Sequence, residues 1–334
     1  MPTRAGALLG ADYVIPEEER AANGHRPESY PELLARLSRQ SVVKHFDAYA
    51  DIDWDAEEFR IDPEDPCWEL AADDPLGATT WYQSQPAALR ARLGLHLIAT
   101  HMKIGIQFEN VLQRGLLEFA TRLPNGAPEF RYAYHEVIEE AQHSLMFQEF
   151  VNRTGFDIPG LPWLLRVGAR RVVLHGRRFP ALFFIFVLGG EDPIDHVQRR
   201  ALRSGCPLHP LLRRIMQIHV TEEARHLCFA RHYLIEHVGR LGPVARTALT
   251  LGAPVILGVM AQLMLRPSRQ VIRTYGIPRD VIAAAYTHNP RYRESTLEAL
   301  RKVRELCREL GLVTPWSARV WRRLGIWDAA VAAS

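Results

Sequence analysis

From Pro86 onward, apolar residues recur at three- and four-residue spacing over Pro86 to Arg122, Pro128 to Arg153, Leu182 to about Arg203 and Pro207 to Val238. That is the period of a helix with one buried face. The runs are separated by Leu123-Pro124-Asn125-Gly126, by Gly155, Pro159-Gly160 and Pro162, and by Gly205-Cys206-Pro207, all of them helix breakers. The pattern predicts four long helices. No stretch alternates at period two between short turns, so the fold class is all-α. Residues 1 to about 80 have another texture, rich in Pro, Asp and Glu as in Ile61-Asp62-Pro63-Glu64-Asp65-Pro66. They predict an irregular N-terminal arm over 1–80 with one short helix near Tyr30 to Arg39, packed on a helical domain over 81–334.

Two further segments extend this picture. Between Arg246 and Arg266 lie nineteen uncharged residues, within the roughly 17–25 that cross a bilayer. Gly252, Pro254 and Gly258 interrupt them and no second such stretch lies nearby, so we expect no membrane span but a helix buried in the core or in a homodimer interface. Asn289 to Leu310 predicts an amphipathic helix whose Arg301, Arg304 and Arg308 lie on a solvated face.

Composition narrows the function classes. The 334 residues are 47% hydrophobic and 24% charged, as in ordinary globular proteins, and a formal net charge of +3 gives no electrostatic case for nucleic acid. Cys67, Cys206, Cys228 and Cys307 are widely spaced without a C-x-x-C, which suits a reducing compartment. The first twenty residues hold only Ala5 to Gly10 as an apolar stretch before Asp12 and Glu17-Glu18-Glu19, too short for a signal peptide core, so the expected location is cytoplasmic. Phosphate-loop, dinucleotide and nucleophile-elbow motifs are absent.

The chemistry lies in an internal echo. Glu139-Glu140-Ala141-Gln142-His143 recurs as Glu222-Glu223-Ala224-Arg225-His226, both within predicted helices. Residues three apart on a helix are separated by only about 60° of arc, so Glu140 with His143, and Glu223 with His226, face one way. The flanks are apolar: Ala141, Leu145 and Phe147 around the first copy, Ile218, Val220, Leu227, Cys228 and Phe229 around the second. Carboxylates embedded together in apolar surroundings need a cation. A di-metal bundle site draws one Glu from each of two helices and one Glu-x-x-His from each of two others. Glu109 lies thirty-one residues before Glu140, and Glu191 thirty-two before Glu223, which predicts a pseudo-twofold bundle with a long crossover between His143 and Glu191. His219, four residues before Glu223, falls on the same face and offers a third imidazole. The candidate ligands are thus Glu109, Glu140, His143, Glu191, His219, Glu223 and His226, a donor set suited to iron or manganese. Glu139 and Glu222 are candidates to accept the outer N–H of a ligand histidine. Gly189-Gly190 and Pro193 bracket Glu191 and are expected to kink or widen its helix.

The doubled E-E-A-[QR]-H resembles the motif of ferritin-like di-iron carboxylate proteins. With His219-x3-Glu223-x2-His226, the length and the motif order, the chain is similar to the p-aminobenzoate N-oxygenase family of arylamine oxygenases over roughly residues 90 to 310. The resemblance implies a ferritin-like four-helix bundle holding two Fe ions, with O2 as co-substrate. It implies a peroxo-type di-iron species that oxidises the amine nitrogen of a small aromatic substrate toward hydroxylamine and nitro products, fed by an external electron donor. A di-iron C-hydroxylase or desaturase, and a ferritin-like ferroxidase without organic substrate, stay open at this point, as does manganese in place of iron. A substrate channel beside Gly105, Phe184 and Val187 competes with ordinary core packing there, and Arg301 and Arg304 are the candidate substrate-carboxylate anchors.

Overall fold

Pro128, Pro180, Pro210 and Pro243 each stand in the first turn of a long helix, where the missing N–H leaves no bond unmade and the fixed φ favours the helical turn. The computed structural model describes residues 28–205 and 207–327. Its helices are α1 (Tyr30–Val43), α2 (Thr80–Gln83), α3 (Ala87–Ala120), α4 (Pro128–Thr154), α5 (Trp163–Arg178), α6 (Pro180–Arg203), α7 (Pro210–Val238), α8 (Pro243–Met264), α9 (Arg269–Thr274), α10 (Arg279–Ile282), α11 (Pro290–Ala299), α12 (Arg301–Glu309) and α13 (Ser317–Arg323). No strand occurs among the described residues, and the class is all-α as expected.

α3 packs on α4 and α6 on α7, while α4–α7 and α3–α6 contacts close a four-helix, ferritin-like bundle. Aromatic rings fill one end of it: Phe119, Phe184, Phe229 and Tyr233 meet edge-on or tilted, with Tyr132 against Phe229 at 4.9 Å between centroids. At the other end Met102, Met146, Phe147, Phe150 and Ile218 pack against arm residues Ile52, Trp54 and Trp68. The arm therefore supplies core. A Cβ on Gly94 of α3 would overlap the backbone carbonyl of Trp68, so only glycine lets the arm's main chain lie directly on the helix. Trp68 stacks on His209 at 4.4 Å, and its indole N–H donates to the Asp62 carbonyl at 2.9 Å. The expectations for residues 1–27, including the apolar and acidic stretches there, and for Cys206 fall outside the described residues.

Several elements differ from expectation. The crossover contains α5, whose buried residues are only Val173 and Gly176. Five of its sixteen residues are arginine, and several of its apolar side chains, Trp163, Leu164, Val167 and Leu174, are exposed, so its apolar positions do not mark the face it buries. It lies close on α3 because a Cβ at Gly176 would overlap the Gly115 carbonyl. α6 runs as one helix through Gly189, Gly190 and Pro193, the stretch expected to kink or widen it. Those glycines serve close approach, since a Cβ at Gly190 would overlap the Phe108 ring and one at Gly189 would crowd Leu257.

The expected single helix over Asn289 to Leu310 is two, divided at Leu300 (φ −92°, ψ 2°). Its arginine face is not uniformly solvated either: Arg301 and Arg308 are exposed, but Arg304 is buried, donating to the Leu297 carbonyl at 2.9 Å and lying over the Trp327 ring.

α8 alone among the described residues is long and apolar enough to cross a membrane by length and composition, with half of its most apolar window buried. Leu249, Ala253, Leu257, Met260 and Ala261 bury one face in the core, while Val244, Leu251, Val255 and Val259 remain exposed.

Candidate metal centre

The doubled motif lies mid-helix on α4 and α7, and Glu109 and Glu191 stand mid-helix on α3 and α6. All seven candidate ligands are at most 2% exposed. The structure brings them together. Glu109, His143 and His219 each place a donor atom within 4.8 Å of the others, as do Glu140, His143 and Glu223, and Glu191, His219 and Glu223. His226 joins through Nδ1, 3.1 Å from both Glu223 Oε1 and Glu140 Oε1. His143 Nδ1 lies 3.1 Å from Glu140 Oε2 and 3.5 Å from Glu223 Oε1, and His219 Nε2 lies 3.6 Å from Glu109 Oε1 and 3.8 Å from Glu223 Oε1.

The residue before each motif glutamate serves the opposite helix. His143 Nε2 bonds Glu222 Oε2 at 2.9 Å and His226 Nε2 bonds Glu139 Oε2 at 2.7 Å. α4 and α7 run antiparallel here, so the two bonds cross in opposite senses and the echo in sequence becomes an approximate twofold in space. A carboxylate on Nε2 takes the proton there and turns the Nδ1 lone pair inward. Glu139 also accepts from Arg225 Nη2 at 2.7 Å, and Glu222 accepts from the Phe46 backbone N–H at 3.0 Å. The arm is thereby tied to the shell of the cluster. Arg225 and Phe46 had no role in the sequence reading; Arg225 stands at the one position where the two copies of the pentapeptide differ.

Electrostatics divides the carboxylates by neighbour. Burial raises Glu109 well above the ordinary carboxylate range, and Glu140 and Glu191 add to it; Glu191 is raised likewise by burial, Glu223 and Glu140. Burial also raises Glu223, with His226 opposing. Glu140 is buried too, but His226 and His143 outweigh the burial and hold it well below its usual value. Burial opposes charge on His143, yet the Glu140 and Glu222 bonds lift it to about 10. His219, with no carboxylate in hydrogen-bond reach, is lowered by burial and by His143. Such buried charge is tolerated only with compensation.

The donor set fits a pair of ions. Glu109 Oε2, Glu223 Oε2 and His219 Nδ1 are buried without a hydrogen-bond partner, and a cation supplies what burial otherwise denies to carboxylate oxygens. Four carboxylates and three imidazoles are hard and borderline ligands, in keeping with iron or manganese.

Residues 27–311 match the family described as P-aminobenzoate N-oxygenase AurF. The chain belongs to this family. It is a di-iron N-oxygenase family, and the buried Glu and His cluster is compatible with its di-metal site. The chain is also 41% identical over 293 residues to an uncharacterized protein of Mycobacterium bovis and to one of Mycobacterium tuberculosis, covering 88% of this chain and 86% of each relative. No solved structure matches significantly.

The remaining site expectations fare differently. The space beside Gly105 is filled by the Phe147 ring, 3.3 Å from where a Cβ would stand, and Phe184 and Val187 are fully buried in the aromatic core. Packing, not a channel, explains them. Arg301 spends its charge on Glu298 and Glu305 at the surface. Arg304 keeps Nε and Nη1 unpartnered, but the charges acting on it are Glu305, Glu298 and Arg301, none of them in the cluster.

Proposed function

We propose that the chain is an O2-dependent di-iron oxygenase that oxidises the nitrogen of a small aromatic amine toward hydroxylamine and nitro products. The observation that carries the proposal is the convergence of seven buried donors with two crossed carboxylate–imidazole bonds behind them. Glu109, Glu140, His143, Glu191, His219, Glu223 and His226 are the proposed ligands of two irons, His143 and His226 binding through Nδ1. Bound iron would supply the redox chemistry with O2, using electrons from an external donor.

The protein's own part is positional. Glu139 and Glu222 fix the two imidazole tautomers, so that neither ring must turn when an ion enters. Phe147 lies against His143 and His219, with ring centroids 6.3 and 5.2 Å away, and its apolar surface keeps water from that side of the cluster. A cavity of about 540 Å³ opens beside α6, lined by Asp192, Asp195, Arg199, Arg200, Arg301 and Lys302. Asp192 adjoins Glu191 in sequence, while Arg199, Arg200 and Arg301 of the lining are paired with Asp195, Asp73 and Glu298, so the rim's positive charge is largely compensated. The exposed apolar edge of α8 supports a homodimer, and the free thiols of Cys67, Cys228 and Cys307 support a cytoplasmic location.

The test is single turnover of Fe(II)-loaded, reduced protein with labelled O2 and a panel led by p-aminobenzoate, read by mass spectrometry. Oxygen on nitrogen is the expected result. Oxygen on carbon, or iron oxidation with unaltered amine under every condition, overturns the proposal in favour of a C-hydroxylase or a ferroxidase.

A further inference from the structure

The approximate twofold that exchanges α4 and α7 pairs Glu140 with Glu223 and His143 with His226. Continued one turn toward the N-terminus of each helix, it pairs His219 with Glu136. Each stands four residues before its motif glutamate and seven before its motif histidine, on one helical face. His219 is a candidate ligand of the cluster. Glu136, which neither the motif nor the resemblance singles out, has the same place at the opposite end.

Its surroundings are those of a ligand rather than of a core residue. Glu136 is fully buried, and both of its carboxyl oxygens lack a hydrogen-bond partner. The Tyr132 hydroxyl, one turn earlier, does not reach it and is itself unpartnered. A neutral acid at this position would hold an O–H with nothing to accept it, and an anion would hold a charge with nothing to donate. Neither state is satisfied by the protein. Apart from burial, the groups that act on Glu136 most strongly are His226, Glu140, Glu223 and Glu139, all of them in the cluster or bonded to it. α4 also passes α7 with Tyr132 beside Phe229 and Glu139 beside His226, which puts Glu136 between those levels, next to His226.

The geometry points to Glu136 as a further carboxylate ligand of the metal pair, the counterpart at the His226 end of His219 at the His143 end. The inference rests on the di-metal reading of the site and deepens it. Five carboxylates rather than four would then face the ions, so the divalent pair would meet more negative charge than the seven-ligand set provides, and the two ions would differ in their shares of imidazole and carboxylate.

The experiment is titration of apo protein with Mn(II) and Co(II), read by electron paramagnetic resonance and by the visible Co(II) spectrum, for wild type, Glu136→Gln and Glu136→Met. Wild type is expected to bind two ions per chain. Glu136→Gln should bind one of them at least ten-fold more weakly and shift the Co(II) bands, because an amide is a poorer ligand than a carboxylate. Glu136→Met is expected to melt above wild type when metal-free, having lost a buried group with no partner, and to gain less from added metal. Should both variants bind two ions with wild-type affinity and spectrum, Glu136 is a core acid and this inference falls while the metal centre stands. Should wild type bind no ions, the metal reading and this inference fall together.

Discussion

Glu222 holds two things at once: the outer nitrogen of His143 at 2.9 Å and the arm's Phe46 N–H at 3.0 Å. Substitution can separate them. In Glu222→Ala both partners lose their acceptor, His143 in a fully buried place and Phe46 in a half-buried one, and an orphaned buried donor costs about 1–3 kcal/mol. Two such losses, partly relieved by water entering behind the shortened side chain, give roughly 3 kcal/mol. At about 2 °C per kcal/mol for a chain of this size, the metal-free melting point should fall by roughly 6 °C. In Glu222→Gln the amide oxygen still accepts from Phe46, so only the bond to His143 changes and the melting point should move by no more than about 2 °C. What Glu222→Gln loses is the anion that turns Nδ1 of His143 inward, and metal affinity should fall by about 10–100-fold in both variants. The assay pairs thermal unfolding of apo protein with Mn(II) titration. If Glu222→Ala melts like wild type, or if Glu222→Gln binds Mn(II) like wild type, the bonds from Glu222 do not have the roles assigned to them.

Other consequences follow from the same geometry. Ligation must displace protons from Glu109 and Glu191, held high by burial, and from His143, lifted to about 10. Mn(II) affinity should therefore keep rising above pH 7.5, where ordinary histidines are already neutral, and calorimetry in buffers of different ionisation enthalpy should show proton release; a flat profile above pH 7 would contradict the cluster's electrostatics. Burial opposes the charge on Glu139, but His226 and Arg225 outweigh it and bring its pKa down to about 2 from 4.5. A depressed carboxylate stabilises the fold above its unfolded pKa and loses that contribution as pH falls toward the folded value, so the effect is about 3 kcal/mol near neutrality. The stability gap between wild type and Glu139→Gln in urea should narrow by about 1 kcal/mol between pH 6 and pH 4; a constant gap would show that the carboxylate does not titrate as its partners require. Gly94→Ala forces a Cβ onto the Trp68 carbonyl, and overpacking of this kind costs about 1–3 kcal/mol. Limited proteolysis should then cut the arm between residues 44 and 80 faster than in wild type, and an unchanged digest would mean that the arm does not depend on this contact.

Four helices, their order and the seven converging side chains were legible because each rests on a local period. An apolar stripe every three to four residues names a helix, and Glu-x-x-His names a polar face upon it. The doubling of that face implied the partners Glu109 and Glu191. What escaped lacks such a period. α5 mixes five arginines with apolar residues and leaves Trp163, Leu164, Val167 and Leu174 exposed, so its apolar positions do not name its buried face, and its place is set by glycine at its crossing with α3. Leu300 divides α11 from α12 with no proline or glycine to show it, and Arg304 is buried by a C-terminal tryptophan more than twenty residues away in sequence. The crossed assignment of Glu139 to His226 and of Glu222 to His143 needs the antiparallel register of two helices, which no single helix encodes. Glu136 was visible in principle, because it repeats the four-residue offset of His219; carboxylate standing in for imidazole hid the correspondence.

The central claim is that these side chains hold two metal ions between four helices. Anaerobic Fe(II) titration of the apo protein, with bound iron counted by elemental analysis and its environment read by Mössbauer spectroscopy, tests it most directly. The account predicts two irons per chain in oxygen- and nitrogen-rich surroundings, with binding lost in Glu140→Ala and Glu223→Ala variants whose helical circular dichroism is unchanged. Wild-type protein that binds no stoichiometric iron, or folded variants that bind two irons as wild type does, would contradict it.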